Sequence, residues 1–444
     1  MTPKLDAAHS ILRRTGVPEG WKDYSLGEVV KIVGGGTPDR NQGAYWRDGG
    51  IPWITPTDLT ANSSKYISEG AEHISELGLR DSNATLVPKG SIIFSTRGTV
   101  GNMAIAAIPV TSNQSCEVLI PKSEEFSSEF IYYLLNFGLS AFHRLAGGTT
   151  FGAITRREIA RVRFAFPPSE EQAAIACILD AVDTAIERTH EVVEGARQMK
   201  AAVVQEFFFR ALGETAYADR PTRELPAGWV LVPTETLFES EPKNGISPKA
   251  SSQPPGLPTF SIAAIRHGKV DLGNKEHLKY AQLPEKAAKA YQVNQGDVLI
   301  VRGNANPDLV GKAGMIDHYP DGCIYPDITK RVVFRKEGER TVTPPFVVLA
   351  WNHSIVHNQV LRRAKTSNGT LKINNRDVKQ IVMPVPPPQE QSTLVNLAEV
   401  LDRKIEGLSN VANAYEQLKR SLMHDLLTGK VRVHHLNLDG IPNP

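Results

Sequence analysis

The stretch Pro167-Pro168-Ser169-Glu170-Glu171-Gln172 returns 219 residues later as Pro386-Pro387-Pro388-Gln389-Glu390-Gln391, and each copy opens a helical stretch of about 40 residues. A second mark, Pro18-Glu19-Gly20-Trp21, returns as Pro226-Ala227-Gly228-Trp229 in the same order along the chain. A repeat of this length indicates a diverged internal duplication. Each copy therefore consists of a globular part followed by a long helix.

This order predicts an α+β fold in which two repeated globular mixed α/β domains are separated by two long helices. Short apolar runs broken by Gly, Pro and Asn turns predict strands in both domains, with a helix over Glu129–Leu145 and another over Pro345–Arg363. Because the chain must return from one domain to the other, the long helices are expected to pack as an antiparallel coiled coil. The predicted segments are an N-terminal segment (1–16), the first domain (17–168), the central long helix (169–212), a linker (213–224), the second domain (225–388), the C-terminal long helix (389–428) and a loosely held tail (429–444).

Apolar residues recur at steps of three and four along both long helices, which predicts the face of each helix that forms the coiled coil. The first series is Ile175, Ile178, Val182, Ala185, Val192, Ala196, Met199 and Val203. The second series is Leu394, Leu397, Leu401, Leu408, Val411, Tyr415, Leu418 and Leu422, with Ile405 one residue late. We expect both series to be structural core, and we expect Phe207-Phe208-Phe209 to leave surface for a partner.

The composition, 41% hydrophobic and 22% charged, is typical of a globular protein. No apolar run is long enough to cross a membrane and no signal region is visible, so a cytoplasmic location is expected. Three widely spaced cysteines fit neither a disulfide framework nor a zinc site. Residues 225–388 carry 21 Lys and Arg against 14 Asp and Glu, whereas residues 170–212 carry 4 against 8. If the protein binds a polyanion, the globular parts provide the surface, although a random scatter of solvated charge is an alternative.

The sequence contains no familiar catalytic motif. Residues 303–312 (GNANPDLVGK) have Asn306 where the spacing of a phosphate-binding loop needs a glycine. His353 and His357 share a helix face but lack the glutamate and the third ligand of a zinc site, so a packing role is expected. We therefore predict a binding protein without a metal site and not an enzyme.

The chain resembles the specificity subunit of type I restriction–modification systems, over about residues 17–430. The motifs that carry the resemblance are Pro18-x-Gly20-Trp21, Leu26-Gly27-Glu28, Gly36-Thr37-Pro38, Ile51-Pro52-Trp53-Ile54-Thr55-x-x-Asp58, the segment Gly90–Gly101 and the Pro-Pro-x-x-x-Gln entry to each long helix. The second copy departs at residues 254–262, where no tryptophan matches Trp46 or Trp53.

The resemblance implies that each domain is a target-recognition domain reading one half of a bipartite DNA target. It also implies two methyltransferase subunits and motor-nuclease subunits as partners. S-adenosylmethionine, ATP and magnesium are then expected in those partners, and no cofactor is expected in this chain.

Candidate DNA-binding residues are polar side chains on short loops, because sequence is read through donors and acceptors on base edges. Residues 90–98 (GSIIFSTRG) return as residues 296–303 (GDVLIVRG), so in both copies an arginine precedes a glycine just past an apolar strand. Arg97 and Arg302 are alternatively structural arginines paired with a carboxylate, and several of the others are alternatively turn formers. The candidates are Thr55, Thr57, Arg97, Thr99, Asn102, Thr149 and Thr150 in the first copy, and Lys243, Asn244, His267, Lys269, Arg302, Asn304, Asn306, Lys312 and Asn368 in the second.

Two other interpretations stay open on the sequence alone. In the first, the coiled coil is itself the function, and the chain is a scaffold or tether whose globular parts bind proteins. In the second, the chain is an enzyme with an unfamiliar site. DNA binding across a salt series distinguishes the first of these from a DNA-recognition subunit, and activity of the purified chain alone would establish the second.

Overall fold

A computed structural model describes residues 16–47, 49–147, 152–335, 337–338, 340–367 and 369–433. The chain divides into two compact units. The first unit comprises the residues up to His190 together with those from Ser409 onward, and the second comprises Glu191–Leu408. Each long helix contributes to both units.

The first globular part belongs to the first unit. Its strands and helices are β1 (Lys22–Ser25), α1 (Leu26–Val29), β2 (Val30–Gly34), β3 (Ile51–Ile54), α2 (Pro56–Ala61), β4 (Tyr66–Ile67), β5 (Glu72–Ile74), α3 (Glu76–Arg80), β6 (Ile92–Ser95), β7 (Met103–Ala106), β8 (Thr111–Ser112), β9 (Cys116–Pro121), α4 (Ser128–Phe137), α5 (Leu139–Leu145), α6 (Arg156–Arg161) and β10 (Arg163–Phe166). A five-stranded sheet has the order β2-β9-β6-β7-β4, a three-stranded sheet has the order β5-β3-β8, and β1 pairs with β10. Strand β6 is buried along its whole length, which explains the apolar run Ile92-Ile93-Phe94.

The second globular part follows helix α7 (Ser169–Leu212) and belongs to the second unit. Its strands and helices are β11 (Val230–Pro233), β12 (Lys243–Asn244), β13 (Ala250–Ser251), β14 (Leu257–Phe260), β15 (Ile265–Arg266), β16 (Lys269–Val270), β17 (Leu278–Ala281), α8 (Glu285–Ala288), β18 (Val298–Val301), β19 (Gly303–Asn304), β20 (Ala313–Met315), β21 (Thr329–Val332), α9 (Pro344–Asn352), α10 (Ser354–Arg363), β22 (Lys365–Ser367), β23 (Thr370–Lys372), α11 (Asn375–Lys379) and β24 (Val382–Val385). Helix α12 (Pro388–Leu427) comes last.

The second unit repeats the sheet pattern of the first with additions. Its main sheet has the order β12-β21-β18-β20-β16-β15, and β11 pairs with β24 as β1 pairs with β10. Strands β14, β13 and β17 form one small sheet, and β19, β23 and β22 form another. Strand β3 of the first copy and strand β14 of the second pair differently. Strand β3 pairs with β5 and β8, whereas β14 pairs with β17 alone.

The repeated glutamine explains why the Pro-Pro-x-x-x-Gln motif opens each long helix. The side chain of Gln172 accepts from the N–H of Ser127 at 3.1 Å and donates to the carbonyl oxygens of Glu125 and Pro167. Gln391 does the same with the N–H of Thr343 and the carbonyl oxygens of Thr341 and Pro386. Ser127 and Thr343 cap helices α4 and α9. Each glutamine therefore joins the start of a long helix to the helix of its globular part.

The long helices run antiparallel in each unit, which confirms the predicted fold class. In the first unit Lys419 of α12 binds Asp183 of α7 at 2.6 Å, and in the second unit Lys200 of α7 binds Asp402 of α12 at 2.6 Å. Both members of the second pair lie 219 residues from their counterparts in the first, so the two ion pairs are copies of each other.

The predicted face of the coiled coil is only partly right. In the described helices Ala398, Ile405, Ala412 and Lys419 lie toward the interior, whereas Leu397, Val411 and Leu418 are exposed. On α7 the predicted residues Ile175 and Ala196 are buried, and so is Val193, whereas the predicted Val192 and Met199 are exposed. Apolar residues on both sides of the buried alanines satisfy the same spacing, so the spacing alone does not identify the buried face.

Three other expectations need correction. The two predicted helices are each broken, at Gly138 between α4 and α5 and at His353 between α9 and α10. His353 has extended backbone and caps α10, and at Gly138 a Cβ atom would come within 2.9 Å of the Phe164 ring. Phe207-Phe208-Phe209 is a free surface only in part: Phe208 lies in the core of the second unit and Phe207 packs on Trp229, whereas Phe209 is exposed.

The linker and the start of the tail are anchored to the globular parts. Ala218 is buried and its N–H donates to the carbonyl oxygen of Ile355, and Asp219 pairs with Arg362 at 2.7 Å. Arg432 binds Glu171 through two hydrogen bonds of 2.8 Å, and Val433 lies in the core of the first unit. The expectation of a loosely held tail is therefore wrong for residues 429–433. Among the described helices, none combines the length and the apolar character needed to cross a membrane.

Candidate functional site

The loop between β6 and β7 is joined to helix α2 through hydroxyl and amide groups. Asn102 donates to the hydroxyl of Thr60 at 2.8 Å, and the hydroxyls of Thr60 and Thr99 lie 3.2 Å apart. Arg97 is exposed at the tip of this loop. No carboxylate lies within ion-pair distance of Arg97 in the part of the chain that the structure describes. The structure thus brings three sequence candidates together on one surface.

A cavity of about 590 Å³ opens beside this loop in the first unit. Two more candidates, Thr55 and Thr57, line it with Arg97. Its other lining residues are Arg40, Trp53, Pro56, Asp58, Ala71, Glu72, Gly98, Asn113 and Ser115. Five of the seven candidates in the first copy therefore lie in or next to one concave surface, and Thr149 and Thr150 lie outside the described residues.

Thr55 has a structural task as well. Its hydroxyl donates to the carboxylate of Asp58 at 2.6 Å, and its side chain caps α2. The second carboxylate oxygen of Asp58 accepts from the N–H of Ala71 at 2.9 Å. The Thr55 hydroxyl and the Asp58 carboxylate are therefore already hydrogen-bonded. The hydroxyl of Thr57 is freer than that of Thr55 to form other hydrogen bonds.

Sequence reasoning missed Arg40 as a lining residue. Its guanidinium lies 3.9 Å from the centre of the Trp46 ring and forms a two-point ion pair with Glu72. The hydrogen bond from Arg40 lowers the pKa of Glu72, so this carboxylate stays ionised. The signal for this part of the site in the sequence was the pair Trp46 and Trp53, which has no match in the second copy. Their rings pack edge to face with centres 5.0 Å apart.

The second unit shows that Arg302 does not correspond to Arg97. The N–H of Arg302 donates to the carbonyl of Ile328 and its carbonyl accepts from Ile373, as Thr96 does with Ser115 and Ile154. Arg302 therefore stands in the position of Thr96, and the expected equivalence of the two arginines is wrong. The second copy has one residue fewer here, and neighbouring residues of an extended segment point to opposite sides. Arg302 is half-buried, and it too lacks a carboxylate partner among the described residues.

Lys243 and Asn244 form strand β12, an edge of the main sheet, and both are exposed. Asn244 accepts a hydrogen bond of 2.7 Å from the ammonium of Lys330, which also donates to Asn375 at 2.6 Å. Lys330 is only 2% exposed. Burial, together with the nearby charge of Arg302, lowers the pKa of Lys330 to about 8.

The remaining candidates of the second copy are spread over the unit. His267 and Lys269 belong to the β15–β16 hairpin at the opposite edge of the main sheet from β12, so they do not join Asn244 in one site. His267 has a φ of 50° in the two-residue turn, which favours the turn-forming role. Asn304 and Asn306 accept from the N–H groups two residues ahead in successive local turns. Lys312 is half-buried, and Asn368 lies outside the described residues.

The histidine pair has no arrangement for a metal. His353 contacts Gln205 at 2.8 Å and the ring of Phe208, and burial lowers the pKa of both His353 and His357 to about 4. Within the described ranges no group of three or more His, Cys, Asp or Glu side chains could hold a metal ion.

Lys330→Met is expected to change the pH dependence of stability. Below about pH 8 both the folded and the unfolded chain carry the lysine proton, and burial of the charge costs stability. Between about pH 8 and 10.5 only the unfolded chain keeps the proton, so the free energy of unfolding of the wild type gains a rising contribution. Urea unfolding should therefore show that the free energy of unfolding of the variant, relative to that of the wild type, is lower at pH 10 than at pH 7. The exposed Lys279→Met is the control, and an equal difference at both pH values would contradict the expectation.

Comparison with known proteins gives a consistent result. Residues 18–194 match the family model described as the type I restriction modification DNA specificity domain. The chain is 25% identical over 452 residues to the type I restriction enzyme MjaIX specificity subunit of Methanocaldococcus jannaschii, with 95% of each chain covered. It is 23% identical over 438 residues to the EcoKI specificity subunit of Escherichia coli, with 94% of this chain and 90% of that one covered. Its fold is similar to the crystal structure of a type I S subunit from M. genitalium, with a TM-score of 0.56, 15% identity, and 93% and 96% of the two chains covered.

Proposed function

The chain belongs to the specificity subunits of type I restriction–modification systems, and we propose that it reads a bipartite DNA target, one half with each globular part. As a member of this family it is a non-catalytic recognition component. The proposal differs from a scaffold role in making the exposed polar surfaces of both units the functional ones.

One observation carries the proposal: the two units share a framework and differ in the polar groups mounted on it. Gly35 and Gly245 directly follow the corresponding strands β2 and β12, where a Cβ atom would overlap backbone oxygens of Asn113 and Tyr325 respectively. Around these glycines the first unit presents Arg97, Thr57 and Arg40, and the second presents Lys243 and Asn244. Equal frames with different donors and acceptors suit two half-sites of different sequence.

The proposed base-reading and phosphate-contacting groups are exposed or half-buried polar side chains near these frames. In the first unit they are Thr57, Arg97, Thr99 and Asn102, with Thr55 positioning α2. In the second unit they are Lys243, Asn244, Arg302, Asn304, Asn306 and Lys312. His267 and Lys269, at the far edge of the sheet, are better placed for phosphates than for the same bases. The net charge of +7 over residues 225–388 supports a larger salt-dependent affinity in the second unit.

Two repeated apolar surfaces support the proposed partnership with two methyltransferase subunits. Val192 and Met199 are exposed on α7 in the second unit, and Val411 and Leu418 are exposed on α12 in the first. Each residue of the second pair lies 219 positions after its counterpart, so one kind of partner would find the same surface twice. Motor-nuclease subunits would join through these partners. S-adenosylmethionine, ATP and magnesium would be bound by the partners, and the complex would act in the cytoplasm, where its DNA lies.

Replacing Arg97 by alanine tests the division of labour. The complex with the methyltransferase subunits is produced in cells, and methylated bases are mapped across the genome. The wild type is expected to methylate one bipartite motif, and Arg97→Ala is expected to relax or lose one half of that motif. The exposed Lys89→Ala, on the same unit but away from the cavity, is the control. The proposal would be refuted if cells with and without this chain had the same methylated bases, or if Arg97→Ala changed both halves of the motif equally.

A further inference from the structure

Among the described residues, the buried lysine of the second unit has only neutral hydrogen-bond partners. Lys330 lies on β21, and its ammonium donates to the amide oxygens of Asn244 and Asn375. An ammonium has three N–H donors and no acceptor, so each amide must turn its oxygen toward Lys330. Asp377, a carboxylate whose charge raises the pKa of Lys330, accepts the N–H of Asn374 at 2.8 Å in the cap of α11.

The same place in the first unit is closed by an ion pair. Glu117 pairs with Gly34 across the β2–β9 ladder as Lys330 pairs with Asn244 across the β12–β21 ladder. Glu117 binds Arg156, the first residue of α6, at 2.9 Å, and Asn375 is the first residue of α11. Gly34 has no side chain to present. Where the first unit has the ion pair between Glu117 and Arg156, the second unit therefore has a lysine that donates to two amide oxygens.

The two amides differ in what they can reach. The Nδ2 group of Asn375 donates to the carbonyl oxygen of Pro242 at 2.7 Å, so both ends of this amide are used inside the unit. Asn244 is exposed on an edge strand, and its Nδ2 group has no hydrogen bond with the described residues. With the oxygen held inward, the two N–H donors of Asn244 face solvent.

We propose that Lys330 is a positioning residue that holds Asn244 with its amide N–H groups outward, so that Asn244 donates to an acceptor on the DNA bound by the second unit. The acceptor is a purine N7 atom, a guanine O6 atom, a thymine O4 atom or a phosphate oxygen. The two-point contact of an asparagine with adenine needs the amide oxygen to face the base as well, and the hydrogen bond from Lys330 directs that oxygen inward. This inference rests on the proposed function, since it assumes that the second unit binds DNA.

Asn244→Asp separates this role from a structural one. Aspartate keeps the shape and gains an ion pair with Lys330, so the melting temperature of the complex is expected to stay equal or rise. It has no N–H donors, so affinity for the mapped target is expected to fall by about fivefold or more. Asn375→Asp is the control for the added charge, because it places the same charge beside the same lysine and leaves the outward donors of Asn244 in place. It also loses the internal hydrogen bond to Pro242, so its melting temperature is measured too.

The pattern of loss identifies the acceptor. Binding is measured on the target and on variants with each base of the second half-site changed. A base contact predicts that Asn244→Asp loses discrimination at one position, whereas a phosphate contact predicts an equal loss on all variants. Lys330→Met frees the amide of Asn244 to rotate, and it is expected to weaken discrimination at the same position while both units stay folded.

Equal affinity of the Asn244→Asp and Asn375→Asp complexes for the target would overturn the inference. Failure of the proposed function gives a different result, because the wild-type complex would then show no preference for a bipartite target at all.

Discussion

Leu418→Glu is expected to remove one of the two proposed methyltransferase subunits from the complex. Leu418 is 45% exposed and lies one heptad after Val411, which is 44% exposed, so together they form an apolar strip on α12. A carboxylate placed in the middle of an apolar interface would be desolvated without a partner, which weakens such contacts on the order of 100-fold. The other methyltransferase subunit would stay, because its surface on α7 is unchanged.

Met199→Glu should have the same effect at the copy of this surface, and the double variant should bind neither subunit. Met199 is 58% exposed and stands 219 residues before Leu418. The ratio of subunits is measured by native mass spectrometry of the co-expressed complex. Ala201→Glu and Asn413→Glu are the controls, since both are exposed and lie about 140–160° around their helices from the changed positions.

Retention of both methyltransferase subunits by the double variant would show that the strips are not the docking surfaces. Loss of both subunits from either single variant would show that the two surfaces are not independent.

Gln391→Leu is expected to lower the free energy of unfolding of the second unit by about 3 kcal/mol. Gln391 is 1% exposed, and its amide bonds to three backbone groups at the start of α9 and α12. Leucine fills a similar volume but leaves a buried N–H and two carbonyl oxygens without these partners. Gln172→Leu should destabilise the first unit in the same way.

Denaturant unfolding, followed separately for each unit by proteolysis, measures this effect. Gln389→Leu is the control, because Gln389 is exposed two residues earlier in the same helix. A change in the unfolding free energy of less than about 0.5 kcal/mol for Gln391→Leu would contradict the assigned role, since that is the usual range for surface substitutions.

Much of the architecture could be predicted from local pattern and repetition. The helix expected over 169–212 is observed as Ser169–Leu212, and that expected over 389–428 as Pro388–Leu427. Long helices carry their signals in nearby residues, and the repeat shows each signal twice. The loop that carries Arg97 could also be predicted from the sequence, because a polar residue directly after a buried strand is a recognisable pattern.

Less of the candidate site could be predicted from the sequence. Arg40 reaches the cavity because Trp46 and Glu72, from separate segments, fix its side chain. The Arg-Gly pairs at Arg97 and Arg302 look equivalent in sequence, yet the backbone hydrogen bonds place Arg302 one position earlier. The role of Lys330 depends on Asn244 and Asn375, which lie 86 and 45 residues away along the chain.

The amino-acid sequence by itself determined the duplication, the two long helices and the family, because each depends on residues close together in the chain or on a pattern repeated in order. Only the tertiary structure decided which side of each long helix is buried, which arginine stands where, and which amide a buried lysine holds. Those outcomes depend on groups that meet across the fold, and a spacing within one segment carries no information about what packs against it.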